Sequence, residues 1–264
     1  MAFIFRDDPT NVGDHVCPPY KYFDFRDAPV YDVMDPSADL STEKVVVVGG
    51  GGLGRRYFRK QLDRIAASHR PYKLVAWGVG ADTVIDKSGA ALDPAGDYDL
   101  FSPFFDAFDI VGIRSWSEDQ RFTWVPCASS MSGLLDIYRD KPPTRTIGYY
   151  QHKHTRMGVG TGDTVMTNNG TDLESKLRFL ADHEYIVSNT YHGVFWATLL
   201  NRKVLCLPFK SGLFSYKHKP AYITTERPGD DDLHRAVSYD SSLEECRAAN
   251  VAFYDRLQDE IGPF

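Results

Sequence analysis

Cysteine is scarce in this chain of 264 residues: there are four, and Cys17, Cys127, Cys206 and Cys246 are widely spaced with no CxxC pair. The spacing argues against a zinc ribbon or a disulfide framework and leaves four reduced thiols. Cys206, inside "VLCLP", reads as a small core hydrophobe. Excess positive charge is also missing. The formal net charge is −6 and the isoelectric point about 5.7, so no global basic field is available for nucleic acid or an anionic membrane. An anionic ligand must be held locally. No apolar window reaches the length of a membrane span, and acidic residues follow the short apolar run of "MAFIFRDDPT" too soon for a signal peptide. The expected compartment is therefore the cytoplasm. There is no internal repeat and no low-complexity tract. What is present is an apolar content of 42%, enough for the core of one large α/β domain or two small ones.

The stretch from Tyr185 to Pro208 carries the strongest signal. It reads as a strand ending at Ser188, a turn through Asn189 and Thr190, an apolar helix ended by Asn201, and a second strand. This places Tyr191, His192 and Gly193 in the first turn of a helix, where free backbone N–H groups favour an anion. A titratable imidazole beside such a site is chemically suggestive, although a lone histidine is more often a hydrogen-bonded core residue.

The other segments are read for what they bring to it. Asn11, Gly13 and Asp14 follow a strand at Phe3–Phe5. They form either an ordinary turn or the wall of a cleft at the carboxyl end of that strand, where open α/β sheets bind ligands. The Pro- and aromatic-rich segment after Cys17 has no helical period and reads as irregular or partly extended. Lys44 to Val48 reads as a buried parallel strand emptying into Gly49, Gly50, Gly51, Gly52, Leu53 and Gly54, with a helix expected from Arg55 to Ser68. Gly49, Gly51 and Gly54 fit G-x-G-x-x-G, so a dinucleotide site has to be weighed. The next strand, Lys73 to Val79, ends without the acidic residue such a site needs for the ribose. The glycines then signal close backbone approach to an anion or close packing of helix on sheet.

Arg114 follows a strand at Asp109–Ile113, with a helix expected from about Glu118 and Ser117 as its cap. Its guanidinium forms either a surface ion pair with Glu118 or Asp119, or a two-pronged grip on a carboxylate or phosphate. "RDKPPTRT" is the best linker, which divides the chain into 1–142 and 143–264. His152 and His154 share a face of an extended segment, but no third metal ligand has suitable spacing, and the cluster reads as a basic loop near the cleft or simply a solvated one. Asp172 to His183 reads as an amphipathic helix, "TERPGDDD" as an exposed loop, and Ser242 to Ile261 as a helix.

In order along the chain, Asn11, Gly13 and Asp14 look like an N-x-G-D opening. Gly49 to Leu53 look like a G-G-G-G-L loop, and Gly78 to Ala81 like a second glycine turn. Arg114 with Ser117, then Tyr191, His192 and Gly193, then Lys210 complete the set. This ordered set, from about residue 11 to about residue 210, resembles the polysaccharide pyruvyl transferase family.

The resemblance implies an α/β fold of two Rossmann-like domains facing a cleft, similar to the GT-B glycosyltransferases. The implied reaction transfers the enolpyruvyl carbons of phosphoenolpyruvate to two hydroxyls of one sugar, releasing phosphate and leaving a cyclic pyruvate ketal, with no metal and no cofactor. His192 would be the general acid and Asp14 a base or acceptor-hydroxyl ligand. Arg114, Lys210, Tyr191, Gly193 and Ser188 would lie on the donor side, and Asn11, Gly51 and Gly52 along the cleft on the acceptor side. The acceptor could be a hexose, an N-acetylhexosamine or Kdo. A lipid-linked acceptor would bring the protein to the inner face of the membrane. Where the family commonly carries Arg two residues before the histidine, this chain has Thr190, so Arg156, Lys153 or Lys217 would have to supply the charge, or backbone and hydroxyl groups would hold the donor, or the donor would be a different one. Two other classes compete: a dinucleotide-dependent oxidoreductase on the glycine loop, and a GT-B glycosyltransferase or sugar-binding relative.

Overall fold

A computed structural model describes residues 1–54, 56–67, 69–80, 105–116, 122–159, 162–208 and 215–262. Two sheets organise these residues, and each pairs all of its strands in parallel. The first contains β1 (Ala2–Phe5), β2 (Val30–Asp32), β3 (Val45–Gly49), β4 (Lys73–Val79), β5 (Ile110–Ile113) and β6 (Thr123–Trp124), in the order β2-β1-β3-β4-β5-β6. The second contains β7 (Arg145–Gln151), β8 (Val165–Thr167), β9 (His183–Ser188), β10 (Lys203–Cys206) and β11 (Ala221–Tyr222), in the order β11-β10-β9-β7-β8.

The β-branched run of β3 explains the first sheet's centre. Val46 and Val48 point into one apolar layer with Leu74 and Ala76, while Val45 and Val47 point into the opposite layer with Val75 and Trp77. A strand buried on both faces has no polar side to alternate, so its sequence is continuous valine. The second sheet repeats the pattern, with Ile186, Val204 and Cys206 in one layer and Val187 and Leu205 in the other.

Strand order determines where a ligand can enter. In the first sheet the chain steps from β1 outward to β2 and then returns to β3 on the far side of β1. In the second it steps from β7 to β8 and returns to β9 on the far side of β7. Each reversal opens a crevice at the carboxyl ends of the flanking strands. Helix α1 (Val12–Val16) follows β1 at the first reversal, and the helix beginning at Tyr191 follows β9 at the second.

Several elements differ from the sequence expectations. The segment after Cys17 contains β2, which pairs in register with β1 (Phe3 opposite Val30). The helix after the glycine loop is shorter than expected: a 3-10 turn at Arg56–Phe58 runs into α2 (Arg59–Ile65). A further helix, α3 (Leu134–Arg139), precedes the linker. Helix α4 (Leu173–Ala181) is capped by Asp172 and stops early because β9 begins at His183. The acidic end of "TERPGDDD" is not loop, since Asp230 opens α6 (Asp230–Arg235), and three aspartates in a first turn complement the helix dipole.

The C-terminal helix α7 (Ser242–Ile261) crosses from one half to the other. Leu243 and Cys246 join the core of the second sheet, and Phe253 and Leu257 join that of the first. Between them Asn250 accepts from the Trp77 indole at 3.0 Å and donates to the Pro126 carbonyl at 3.2 Å. The end of the 143–264 segment therefore packs on the first sheet.

Candidate functional site

The second half contributes the start of α5 (Tyr191–Leu199). Thr190 caps it: its hydroxyl accepts from the Gly193 N–H at 2.9 Å, and Ser188 Oγ accepts from the Thr190 N–H at 3.1 Å. These bonds commit Ser188 and Gly193 to shaping the turn. A Cβ on Gly193 would lie 2.3 Å from Ser188 Oγ, so only glycine lets the helix start this close to the strand. The first intrahelical bond runs from Val194 N to the Thr190 carbonyl, leaving the N–H groups of Tyr191 and His192 ahead of the ladder.

The first half contributes Arg114, directly after β5. Its backbone N–H bonds the Val79 carbonyl at 3.1 Å. Its guanidinium lies over the Tyr191 ring, 3.6 Å from Cζ to the ring centroid, in cation–π geometry. Gly80 makes room for it, since a Cβ there would be 2.7 Å from Arg114 Nε. Arg114 is only 4% exposed, yet its Nε and Nη1 have no hydrogen-bond partner among the described residues. A buried cation with unused donors is costly unless an anion completes it. The Tyr191 ring is held from its other neighbours by stacking on Tyr216 and Phe195.

His192 is 7% exposed and lies beside this cation. Its Nε2 is 3.4 Å from Cys127 Sγ, and its ring sits 4.9 Å from that of Trp196, one turn along the helix. Burial, and secondly the positive field of Arg114, hold its pKa well below the ordinary histidine value. In the unliganded protein the imidazole is therefore neutral at pH 7. Across the gap, α1 presents Gly13 so closely that a Cβ there would be 2.0 Å from His192 Nδ1.

The structure thus brings Arg114, Tyr191 and His192 together with Gly13 and Asp14. Asn11 caps α1, accepting from the Gly13 N–H at 3.2 Å and donating to Asp14 Oδ2 at 2.7 Å. It also accepts from Asn168 Nδ2 of the second half at 3.1 Å, so it joins the two halves as well as ending a turn. Gly51 lies beside Asp14, with 3.3 Å from a notional Cβ to Oδ1, and Gly52 is partly exposed next to it.

The glycine loop bonds to backbone of the neighbouring strand end. Gly80 N–H donates to the Gly51 carbonyl at 2.9 Å, and Gly54 N–H to the Gly80 carbonyl at 3.0 Å. Lys210, Ser117, Glu118, Asp119 and Ala81 lie outside the described residues. Of the cations considered in place of the arginine absent at Thr190, Lys153 pairs with Asp8 at 3.0 Å and Lys217 with Glu245 at 2.8 Å, while Arg156 is exposed. His152 Nδ1 accepts from its own turn, from the N–H groups of His154 and Thr155. Among the described residues no group of three His, Cys, Asp or Glu side chains could hold a metal, and no helix is long and apolar enough to cross a membrane.

Two contributors were not visible as site residues in the sequence. Cys127, 65 positions before His192, is its sulfur neighbour, and Ser129 stands behind it, 3.1 Å from Sγ. Neither carries a motif. Only the fold brings the turn after β6 against α5.

The fold and site define an α/β protein of two parallel sheets, with Arg114 after β5 brought over Tyr191 and beside His192 at the start of α5. No family model and no curated protein matches the chain. Among solved structures, it is similar to an uncharacterised protein of Klebsiella pneumoniae, at 16% identity over 79% of this chain and 83% of that one, with a TM-score of 0.48. It also aligns with a variant of the wall teichoic acid polymerase TagF, at 10% identity over 81% and 68% of the two chains, with a TM-score of 0.31.

Proposed function

We propose that the protein is a phosphoenolpyruvate-dependent ketal pyruvyltransferase acting on a sugar, built as two Rossmann-like domains in a GT-B-like arrangement. The observation that carries this reading is the Arg114 guanidinium, buried beside His192 at the start of α5 with Nε and Nη1 unpaired among the described residues. Phosphoenolpyruvate offers a carboxylate and a phosphate for that cation and for the N–H groups of Tyr191 and His192, which precede the first intrahelical bond. The ordered motifs shared with the polysaccharide pyruvyl transferases support the same assignment.

The chemistry follows from charge. Burial and Arg114 keep His192 neutral when the site is empty. A dianionic phosphate arriving next to it reverses that balance and favours the imidazolium. His192 then donates its proton to the methylene carbon as a sugar oxygen attacks the adjacent carbon. The second hydroxyl displaces phosphate, closing the ketal, and the two hydroxyl protons leave with the phosphate and through the regenerated histidine. Asp14, on the opposite wall, would orient or deprotonate an acceptor hydroxyl. The dinucleotide alternative is disfavoured by the glycine loop, whose amides at Gly50 and Gly54 already bond to backbone carbonyls.

The test is phosphate release from purified protein with phosphoenolpyruvate and a panel of pyranosides, with product mass as readout. Release that needs both substrates and is lost in His192→Ala supports the reading. Release with phosphoenolpyruvate absent, or turnover of a nucleotide sugar instead, overturns it.

A further inference from the structure

The neighbours of His192 Nε2 form a chain whose hydrogen-bond directions can be worked out. It starts at the Trp196 indole N–H, which can only donate and which meets Ser129 Oγ at 2.9 Å. Ser129 must therefore accept there, and its own hydroxyl proton needs another acceptor. The one within reach among the described residues is Cys127 Sγ, at 3.1 Å. Cys127 in turn faces His192 Nε2 at 3.4 Å. Cys127, Ser129 and Trp196 are all at most 1% exposed, so bulk solvent does not reach these groups.

If the sequence of donors ran the other way, with Nε2–H pointing at sulfur and S–H pointing at Ser129, the serine proton would be buried with no acceptor. Unmet buried donors are rare because their desolvation is not repaid. Serine hydroxyl to sulfur and thiol to Nε2 is the arrangement that gives every donor of the chain an acceptor; with Nε2–H and the serine hydroxyl both on sulfur, the thiol proton would have none. An unprotonated Nε2 forces the neutral ring to carry its hydrogen on Nδ1. That atom lies on the ring edge packed against Gly13 of α1, and has no hydrogen-bond partner among the described residues.

We propose that Cys127, backed by Ser129 and Trp196, is a positioning residue that locks His192 as the Nδ1–H tautomer and so directs its proton toward Gly13 and the start of α1. Burial keeps the thiol protonated, which suits a donor, as its pKa is raised mainly by desolvation. The consequence for catalysis, that Nδ1 is the atom that handles the transferred proton, rests on the pyruvyl-transfer reading. The tautomer itself does not.

The experiment is long-range proton–nitrogen NMR on the full chain labelled with 15N-histidine at pH 7, with His192→Gln used to assign the signals. In the wild type we expect His192 Nε2 to resonate as an unprotonated nitrogen and Nδ1 as a protonated one. A protonated Nε2 overturns the proposal without any variant of Cys127 having to fold. In Cys127→Ala the Nε2–H form should appear, whereas Cys127→Ser, which keeps a donor, should restore the wild-type pattern; an unchanged tautomer in Cys127→Ala overturns the positioning role. In turnover with phosphoenolpyruvate, Cys127→Ala should lower kcat by roughly tenfold or more while leaving KM nearly unchanged. A wild type with the expected tautomer but no turnover would sink the transfer reading alone.

Discussion

Gly13 and His192 meet across the gap between the two sheets, so closely that a single methyl on the glycine would sit 2.0 Å from the imidazole Nδ1. The contact joins the helices that follow β1 and β9, the strands at which each sheet reverses its order. It makes position 13 a sensitive probe of the site.

Gly13→Ala should therefore displace the imidazole. Overpacking of this kind costs about 1–3 kcal/mol, which a thermal melt would register as a drop of several degrees. Turnover should fall much further than stability, because the ring that moves is the proposed acid. Normal turnover in a folded Gly13→Ala protein would show that the ring needs no fixed position.

Arg114→Met separates function from stability in the opposite sense. The guanidinium gains roughly 0.5–2 kcal/mol from its place over Tyr191, but burying a cation with unmet donors costs more than that. The variant should melt at the same temperature as the wild type or higher, and should lose both stabilisation by phosphoenolpyruvate and turnover. A marked fall in melting temperature would mean that the arginine holds the fold together and is not waiting for a ligand.

The depressed pKa of His192 gives stability a definite pH dependence. The unfolded chain has an ordinary histidine, with a pKa of about 6.5, while the folded one resists protonation because of burial and then Arg114. Below the unfolded value the unfolded state binds the extra proton, so stability is full above about pH 6.5 and declines as pH falls toward the folded value. The slope from this residue approaches about 1.4 kcal/mol per pH unit. His192→Gln should remove that component, measured as melting temperature against pH. Binding of phosphoenolpyruvate should take up a proton, which calorimetry in buffers of different ionisation enthalpy would detect.

At the rim, Asp8 and Lys153 link the loop after β1 to the loop after β7 at 3.0 Å. Partial burial pushes the Asp8 carboxyl up, but hydrogen bonds from Thr10 and Lys153 outweigh it and bring the pKa down to about 2. Its folded pKa is below the unfolded value, so the contribution is present above about pH 4 and is lost as pH falls toward 2. Lys153→Met should weaken docking of the halves by about 1 kcal/mol or less and flatten the acid limb of the stability profile between those values.

Strands with two buried faces were legible because their composition is nearly pure valine, as in Val45–Val48. The cap at Thr190 and the helix after it were legible because capping is local chemistry. Short edge strands were not: Val30–Asp32 and Val165–Thr167 are three residues each, and only pairing with a neighbour makes them strands. In the site, Arg114 could be placed at a strand end, but its seat over the Tyr191 ring is a property of the fold. Cys127 was invisible for a similar reason, since a sulfur 65 residues from its imidazole leaves no pattern in the chain. The glycine loop could be read either as a cradle for an anion or as close packing on the sheet, and the sequence does not tell that Gly50 N–H bonds the Trp77 carbonyl and Gly54 N–H the Gly80 carbonyl.

The central claim is that a phosphoenolpyruvate anion completes Arg114 and is protonated by His192. The most direct measurement is the mass of a pyranoside incubated with the protein and phosphoenolpyruvate, alongside released phosphate. The account predicts one pyruvate ketal per phosphate, formed by the wild type and by neither His192→Ala nor Arg114→Met. A pyranoside of unchanged mass across the acceptor panel, with no stabilisation of the protein by phosphoenolpyruvate, would contradict it.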